Sequence, residues 1–233
     1  MNKENILHLK KELNKISHLF QKKNFRIVIK KSRILLKNNT RQPIIYNLIG
    51  LSHLELDETK KAIEIFLLAI DKMPLETSIF CNIGIAYNKL GSLLKAREYF
   101  YSALKLNSNH VQSHINLGHL ENTLKNNELS TKHYLDAYNI NNNLEEVLTY
   151  YILNLSSNGK FSQAKKIISE LNNKFPNNTK SYQLFSKIHK YEIGDNHQHT
   201  MLNIVKSQSL NYEDLSNLYF ALSKSFFDQK NIE

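Results

Sequence analysis

A step of 34 residues recurs along this chain. Gly50, Gly84 and Gly118 keep it, as do Ala69, Ala103 and Ala137, and Phe66, Phe100 and Tyr134. Ala62 and Ala96 share the phase, Ser130 replaces alanine once, and Ala164 returns to it. Pro74 and Pro176 stand three such steps apart. A repeat of this length is one supersecondary unit that cannot bury its apolar side alone, so it must stack on copies of itself.

Within 43–76, Tyr46, Ile49, Gly50 and His53 share one face of a first helix. Ala62, Phe66 and Ala69 share one face of a second, and Pro74 stops it. Small residues at 50 and 62 let two antiparallel helices approach, and the large ones at 46 and 66 fill the remaining space. The pattern resembles that of the tetratricopeptide repeat family: aromatic-x-x-Leu-Gly-x-x-Tyr, then Ala, Phe, Ala and Pro. The resemblance is strong over 43–76 and 77–110, good over 111–144 and recognisable over 145–178. It implies an all-α fold, a right-handed superhelical solenoid of antiparallel helix pairs, with about five to six repeats.

The ends are degenerate. Residues 1–42 form a basic first repeat or cap in which Ile16, Leu19, Val28 and Leu35 stay in phase but the small residues are missing. Residues 179–233 begin in register with Tyr182, Phe185, Ser186 and His189, then lose it near Gly194-Asp195-Asn196. A further first helix is expected from about Tyr212 to Asp228, with Leu215, Leu218, Ala221, Leu222 and Ser225 on one face. Because no second helix follows it, this face is expected to lack a partner, as in a fragment of a longer protein.

In the family the partner usually lies along the concave side, against the first helices. The corresponding positions are Asn82, Ile85, Asn88 and Lys89 in one repeat and Gln112, Asn116, His119 and Asn122 in the next. Asn14, Asn82 and Asn116 share the sixth position. A side-chain amide offers a donor and an acceptor together and can pair with an extended backbone whatever its sequence. Against this stands the abundance of asparagine throughout the chain, which fills such positions without function. A basic clamp for carboxylate tails is not expected, since Lys89 is almost the only cation at these positions between 43 and 178.

The net charge of +10 has a location. Residues 1–42 hold twelve Lys/Arg and two acids, whereas the rest of the chain is balanced. Arg26, Lys30, Arg33 and Lys37 lie on one helical stripe, opposite Phe25, Val28, Ile29 and Leu36. The stripe suits an acidic partner or an anionic membrane surface, or is simply the solvated side of a helix. No stacking aromatics are interleaved with it, so nucleic acid is not expected. The N-terminus is charged from Lys3 and has no apolar run behind it, and Cys81 is the lone cysteine. A cytoplasmic setting is the expectation.

Chemistry finds little footing. No phosphate-binding glycine loop is present, and Cys81 has no evident base. His110, His114 and His119 have helical spacing but no carboxylate partner. His189, His197 and His199 could approach one another near the degenerate loop, yet no metal or cofactor is expected there. A weaker resemblance covers about 180–233. Ser186–Tyr191, His197–Met201 and Leu218–Asp228 are similar to the segment joining repeats to a sulfotransferase domain in bacterial repeat-containing sulfotransferases. That family implies a following domain that binds 3′-phosphoadenosine 5′-phosphosulfate. Its phosphosulfate loop is not in these residues, so no catalytic residue is assigned.

Overall fold

The structure, a computed structural model, describes residues 3–37, 42–207 and 209–230. Every regular element among the described residues is helical. Contacts gather the chain into two compact units, Met1–Leu124 and Lys125–Glu233, each described by itself. The division falls inside the repeat expected over 111–144.

The first unit contains α1 (Lys3–Gln21), α2 (Phe25–Lys37), α3 (Pro43–Glu55), α4 (Thr59–Lys72), α5 (Thr77–Lys89), α6 (Leu93–Leu106) and α7 (Val111–Thr123). The second contains α8 (Asn127–Ile140), α9 (Glu145–Ser157), α10 (Phe161–Lys174), α11 (Lys180–Ser186), α12 (Asn196–Ser207) and α13 (Tyr212–Lys230). First helices begin at 43, 77, 111 and 145 and second helices at 59, 93, 127 and 161, so the 34-residue step is kept in the backbone itself. In the first unit consecutive helices pack in series, as in a helical solenoid; in the second α8 to α11 do so, and α11 and α12 both pack on α13.

One residue in the left-handed region follows each of α1, α3, α5, α7 and α9: Lys23, Asp57, Gly91, Lys125 and Gly159, again 34 apart, with φ between 58° and 74°. Gly91 N–H donates to the Asn88 carbonyl and Ser92 N–H to the Tyr87 carbonyl, both at 2.9 Å, closing the last turn of α5 by a Schellman pair. Asp57 with Glu58, Lys23 with Asn24, and Gly159 with Lys160 make the same pair. Glycine takes this conformation freely. At Lys23, Asp57 and Lys125 it costs roughly 1–2 kcal/mol, which the surrounding packing sustains.

The core repeats as well. Tyr46, Ala62, Phe66, Ala69, Ile79, Ile83 and Ala86 form one layer, and Cys81, Ala96, Phe100, Ala103, Leu117 and Leu120 the next. A Cβ placed on Gly50 would lie 2.3 Å from the Phe66 ring, and one on Gly84 2.5 Å from that of Phe100. The glycine therefore makes room for the phenyl ring of its own repeat. In the first repeat the sizes are exchanged: Ile16 and Ser32, both buried, stand at the glycine and phenylalanine positions. This exchange fits the pairing of α1 with α2 without the glycine and alanines of the neighbouring repeats. An ion pair reaches into the core of the first unit, from Arg97 on α6 to fully buried Glu121 on α7, at 2.6 Å.

In the second unit Leu148, Ile152, Ala164, Ile168, Leu171 and Leu184 carry the core through α9, α10 and α11. The end differs from the expectation for α13. Leu218 and Leu222 are buried against Tyr191 and Met201, because the irregular segment after α11 and the helix α12 together fill their face. The aromatic side chains that α13 leaves exposed are Tyr212, Tyr219, Phe220, Phe226 and Phe227.

Gly84→Ala gains about 1 kcal/mol of intrinsic helix propensity. Against that, the Phe100 ring cannot yield without shifting α6. Thermal unfolding should show a net loss of roughly 1–3 kcal/mol, and Gly84→Ala with Phe100→Leu should recover part of it. A Gly84→Ala chain melting at or above the parent temperature would mean that the contact is slack.

Candidate functional site

The first helices α3, α5 and α7 pack directly on one another, and their shared outer face carries the expected partner-binding residues. Asn88, Lys89, Gln112 and Asn122 are exposed, while Asn82, Ile85, Asn116 and His119 are half-buried. All eight lie on α5 or α7.

The amides are joined across the repeats, but not to their counterparts. Asn82 Nδ2 donates to Asn47 Oδ1 at 2.9 Å, Asn47 Nδ2 donates to Ser78 Oγ at 2.9 Å, and Ser78 Oγ donates to Glu76 Oε1 at 2.8 Å. Asn116 Nδ2 donates to Cys81 Sγ at 3.5 Å. Lys89 Nζ donates to the Leu54 carbonyl and pairs with Asp57 Oδ1, both at 2.7 Å. Bonds between adjacent first helices run from 47 to 82, 54 to 89 and 81 to 116, a step of 35 residues. The fifth position of one repeat thus meets the sixth of the next. Comparing like positions at the 34-residue step finds Ser78, the second position of its repeat, but not Asn47 or Glu76. A search at 35 finds Asn47 at once.

The consequences for the face are chemical. Lys89 is committed to the end of α3, where its charge lies favourably against the negative end of the helix dipole. Asn47 spends both ends of its amide within the protein. Asn82 spends one N–H and keeps its carbonyl oxygen open among the described residues. Burial pushes the Cys81 thiol up, partly offset by hydrogen bonds from Ser113 and Asn116, so it is a packed thiol and a poor nucleophile.

His110, His114, His189 and His197 each have a hydrogen-bond partner within their own unit. His110 bonds Ser113 Oγ at 2.8 Å, and His114 Nε2 bonds the Ser108 carbonyl at 3.0 Å. In the second unit His189 Nε2 meets Asp195 Oδ2 at 2.7 Å, while His197 Nδ1 meets the Tyr191 hydroxyl at 2.9 Å. His199 is exposed on α12. These three do not converge on one point. His197 Nε2 is buried with no partner among the described residues, and Tyr182 and Phe185 lie against its ring.

Arg26, Lys30, Arg33 and Lys37 are all exposed on α2. The stretches Ser186–Tyr191, His197–Met201 and Leu218–Asp228 meet one another: Tyr191, Met201, Leu218 and Leu222 share a core, and Tyr191 N–H donates to Asp228 Oδ2 at 3.2 Å.

The tetratricopeptide repeat family model matches residues 44–71 and 77–110, and the chain carries tetratricopeptide repeats there. No curated protein matches. Among solved structures, the chain is similar to PilF of Pseudomonas aeruginosa, at 14% identity and a TM-score of 0.67 over 89% of this chain and 96% of that one. It is similar to TTC0263, a tetratricopeptide repeat protein of Thermus thermophilus, at 15% identity and 0.65 over 77% and 97%. It is also similar to YrrB, described as having an unusual peptide-binding site, at 14% identity and 0.55 over 86% and 93%. At these identities the likeness establishes the fold.

Burial pushes His197 down to about 4, against a smaller opposing pull from Asp195. The unfolded imidazole titrates near 6.5. The unfolded chain therefore binds the extra proton between these values, so stability from this group is complete above about pH 6.5 and is lost as the pH falls through about 4. Asp195, His189, Tyr191 and Tyr182 surround the ring and remain in a His197→Asn variant, whose amide oxygen can still accept from Tyr191. Melting temperature followed from pH 7 to 4 should fall less steeply for the variant than for the parent. Parallel curves would show that this ring is already protonated or solvated.

Proposed function

We propose that the chain is a scaffold that holds an extended peptide, or a flexible segment of a larger protein, along the first-helix face of its first unit. The observation that carries this reading is the row of amides on α5 and α7. Asn82, Asn88, Gln112, Asn116 and Asn122 offer hydrogen-bond capacity beside half-buried Ile85, and the cation of the same strip, Lys89, is already paired. Such a surface suits a backbone, which carries donors and acceptors at a regular spacing and no charge. YrrB, of the same fold, is described as having a peptide-binding site. The chain's part in this reading is recognition rather than catalysis.

A second reading makes this chain the substrate-recruiting part of a sulfotransferase. It rests on the resemblance over about 180–233, whose three stretches share one core. A reading frame that continues beyond Glu233 into a domain with a phosphosulfate-binding loop would favour it, and one that ends there would dismiss it.

The groove is tested with random peptides displayed on phage and panned on the intact chain. Replacing Asn82 and Asn116 together by Ala should weaken a selected peptide by roughly 1–3 kcal/mol, with little change in melting temperature. Lys105→Ala and Lys132→Ala, both on second helices, should have no effect. An equal loss from the lysine variants would point to nonspecific charge and overturn the amide reading.

A further inference from the structure

We infer that the outer face of α2 is a docking surface for an anionic lipid bilayer, independent of the peptide-binding face. Helix α2 contains no acidic residue. Arg26, Lys30, Arg33 and Lys37 extend along it for about 16 Å. All four are exposed, and none makes an ion pair or hydrogen bond among the described residues. Lys22, Lys23 and Lys31 are exposed beside them. Mutual repulsion along such a stripe is unfavourable for an isolated protein, and an anionic surface removes it.

The accompanying apolar residues distinguish among partners. Ile27 and Ile34 are 46% and 53% exposed although the same helix buries Val28 and Ile29. Seven residues apart, they form a second row along one edge of the cationic stripe. A headgroup layer accommodates both rows in one plane, with phosphates against the cations and the isoleucines at the acyl boundary. A nucleic acid would use aromatic faces, but the nearby Phe25 is half-buried and meets Phe20 edge-on, ring centres 5.3 Å apart. No helix among the described residues is long and apolar enough to cross a membrane, and the proposed contact is one of surface docking.

The test is co-sedimentation of the full chain with vesicles of phosphatidylcholine alone or with about 30% phosphatidylserine, at about 0.1 M salt. Binding is expected only to the anionic vesicles. Arg26→Gln, Lys30→Gln, Arg33→Gln and Lys37→Gln combined should weaken it by two to three orders of magnitude, about fivefold per cation. Ile27→Ser with Ile34→Ser should weaken it roughly tenfold while leaving its salt dependence unchanged. These six side chains are exposed, so both variants should keep the parent melting temperature.

Equal binding to neutral vesicles would overturn the proposal, as would no binding to anionic ones by folded protein. So would serine variants that bind like the parent while a polyglutamate peptide binds as tightly as the vesicles, which would assign the stripe to an acidic protein. Self-association of the parent abolished by the two serines would assign the face to a second copy.

Discussion

The contact of a phenyl ring with a glycine is the constraint on which the repeats depend. At Gly50 and Gly84 the missing side chain lets the rings of Phe66 and Phe100 lie directly on the first helix, closer than any Cβ would allow. That contact sets the separation of the two helices in a hairpin. It also fixes which residues of the first helix remain for the next repeat and which are left outside. The outer face, with its amides at 82 and 116, is therefore a by-product of how closely the hairpins close. Where the pair is exchanged, as at Ile16 and Ser32, what persists is complementary size rather than residue type.

This explains what was legible in the sequence and what was not. The Gly, Ala and Phe positions are readable because each demands a particular volume. The turns follow the same step with equal regularity, but Lys23, Asp57, Gly91, Lys125 and Gly159 have only a backbone angle in common, and residue type reports it poorly. The burial of Leu218 and Leu222 was hidden for another reason. Tyr191 and Met201, which cover them, flank the break at Gly194-Asp195-Asn196, where periodicity no longer says what faces what. The candidate face was half legible. Its residues could be placed by position, but their partners lie one residue off the repeat, because neighbouring first helices meet at a step of 35.

The two surfaces proposed for the first unit have opposite chemistry. The α2 stripe is charged, unpaired and local to one helix, so its attraction to a partner is long-ranged and weakened by salt. The amide face is built from three helices and has its one cation neutralised, so whatever it holds must fit at contact distance. Capture at one surface and selection at the other can therefore proceed without interference.

The chain of bonds from Asn82 through Asn47 and Ser78 ends at Glu76, and a carboxylate can only accept. Its sense is therefore fixed from one end, like a row of compass needles beside a magnet. Ser78 must point its proton at Glu76, Asn47 must turn its nitrogen to Ser78, and Asn82 must turn its nitrogen to Asn47. On the proposed reading, the polarity that residue 82 would show to a peptide backbone is thus inherited from Glu76. A neutral amide at 76 would release that orientation and let the row reverse, so that the face could exchange acceptor for donor with no atom of the binding surface replaced.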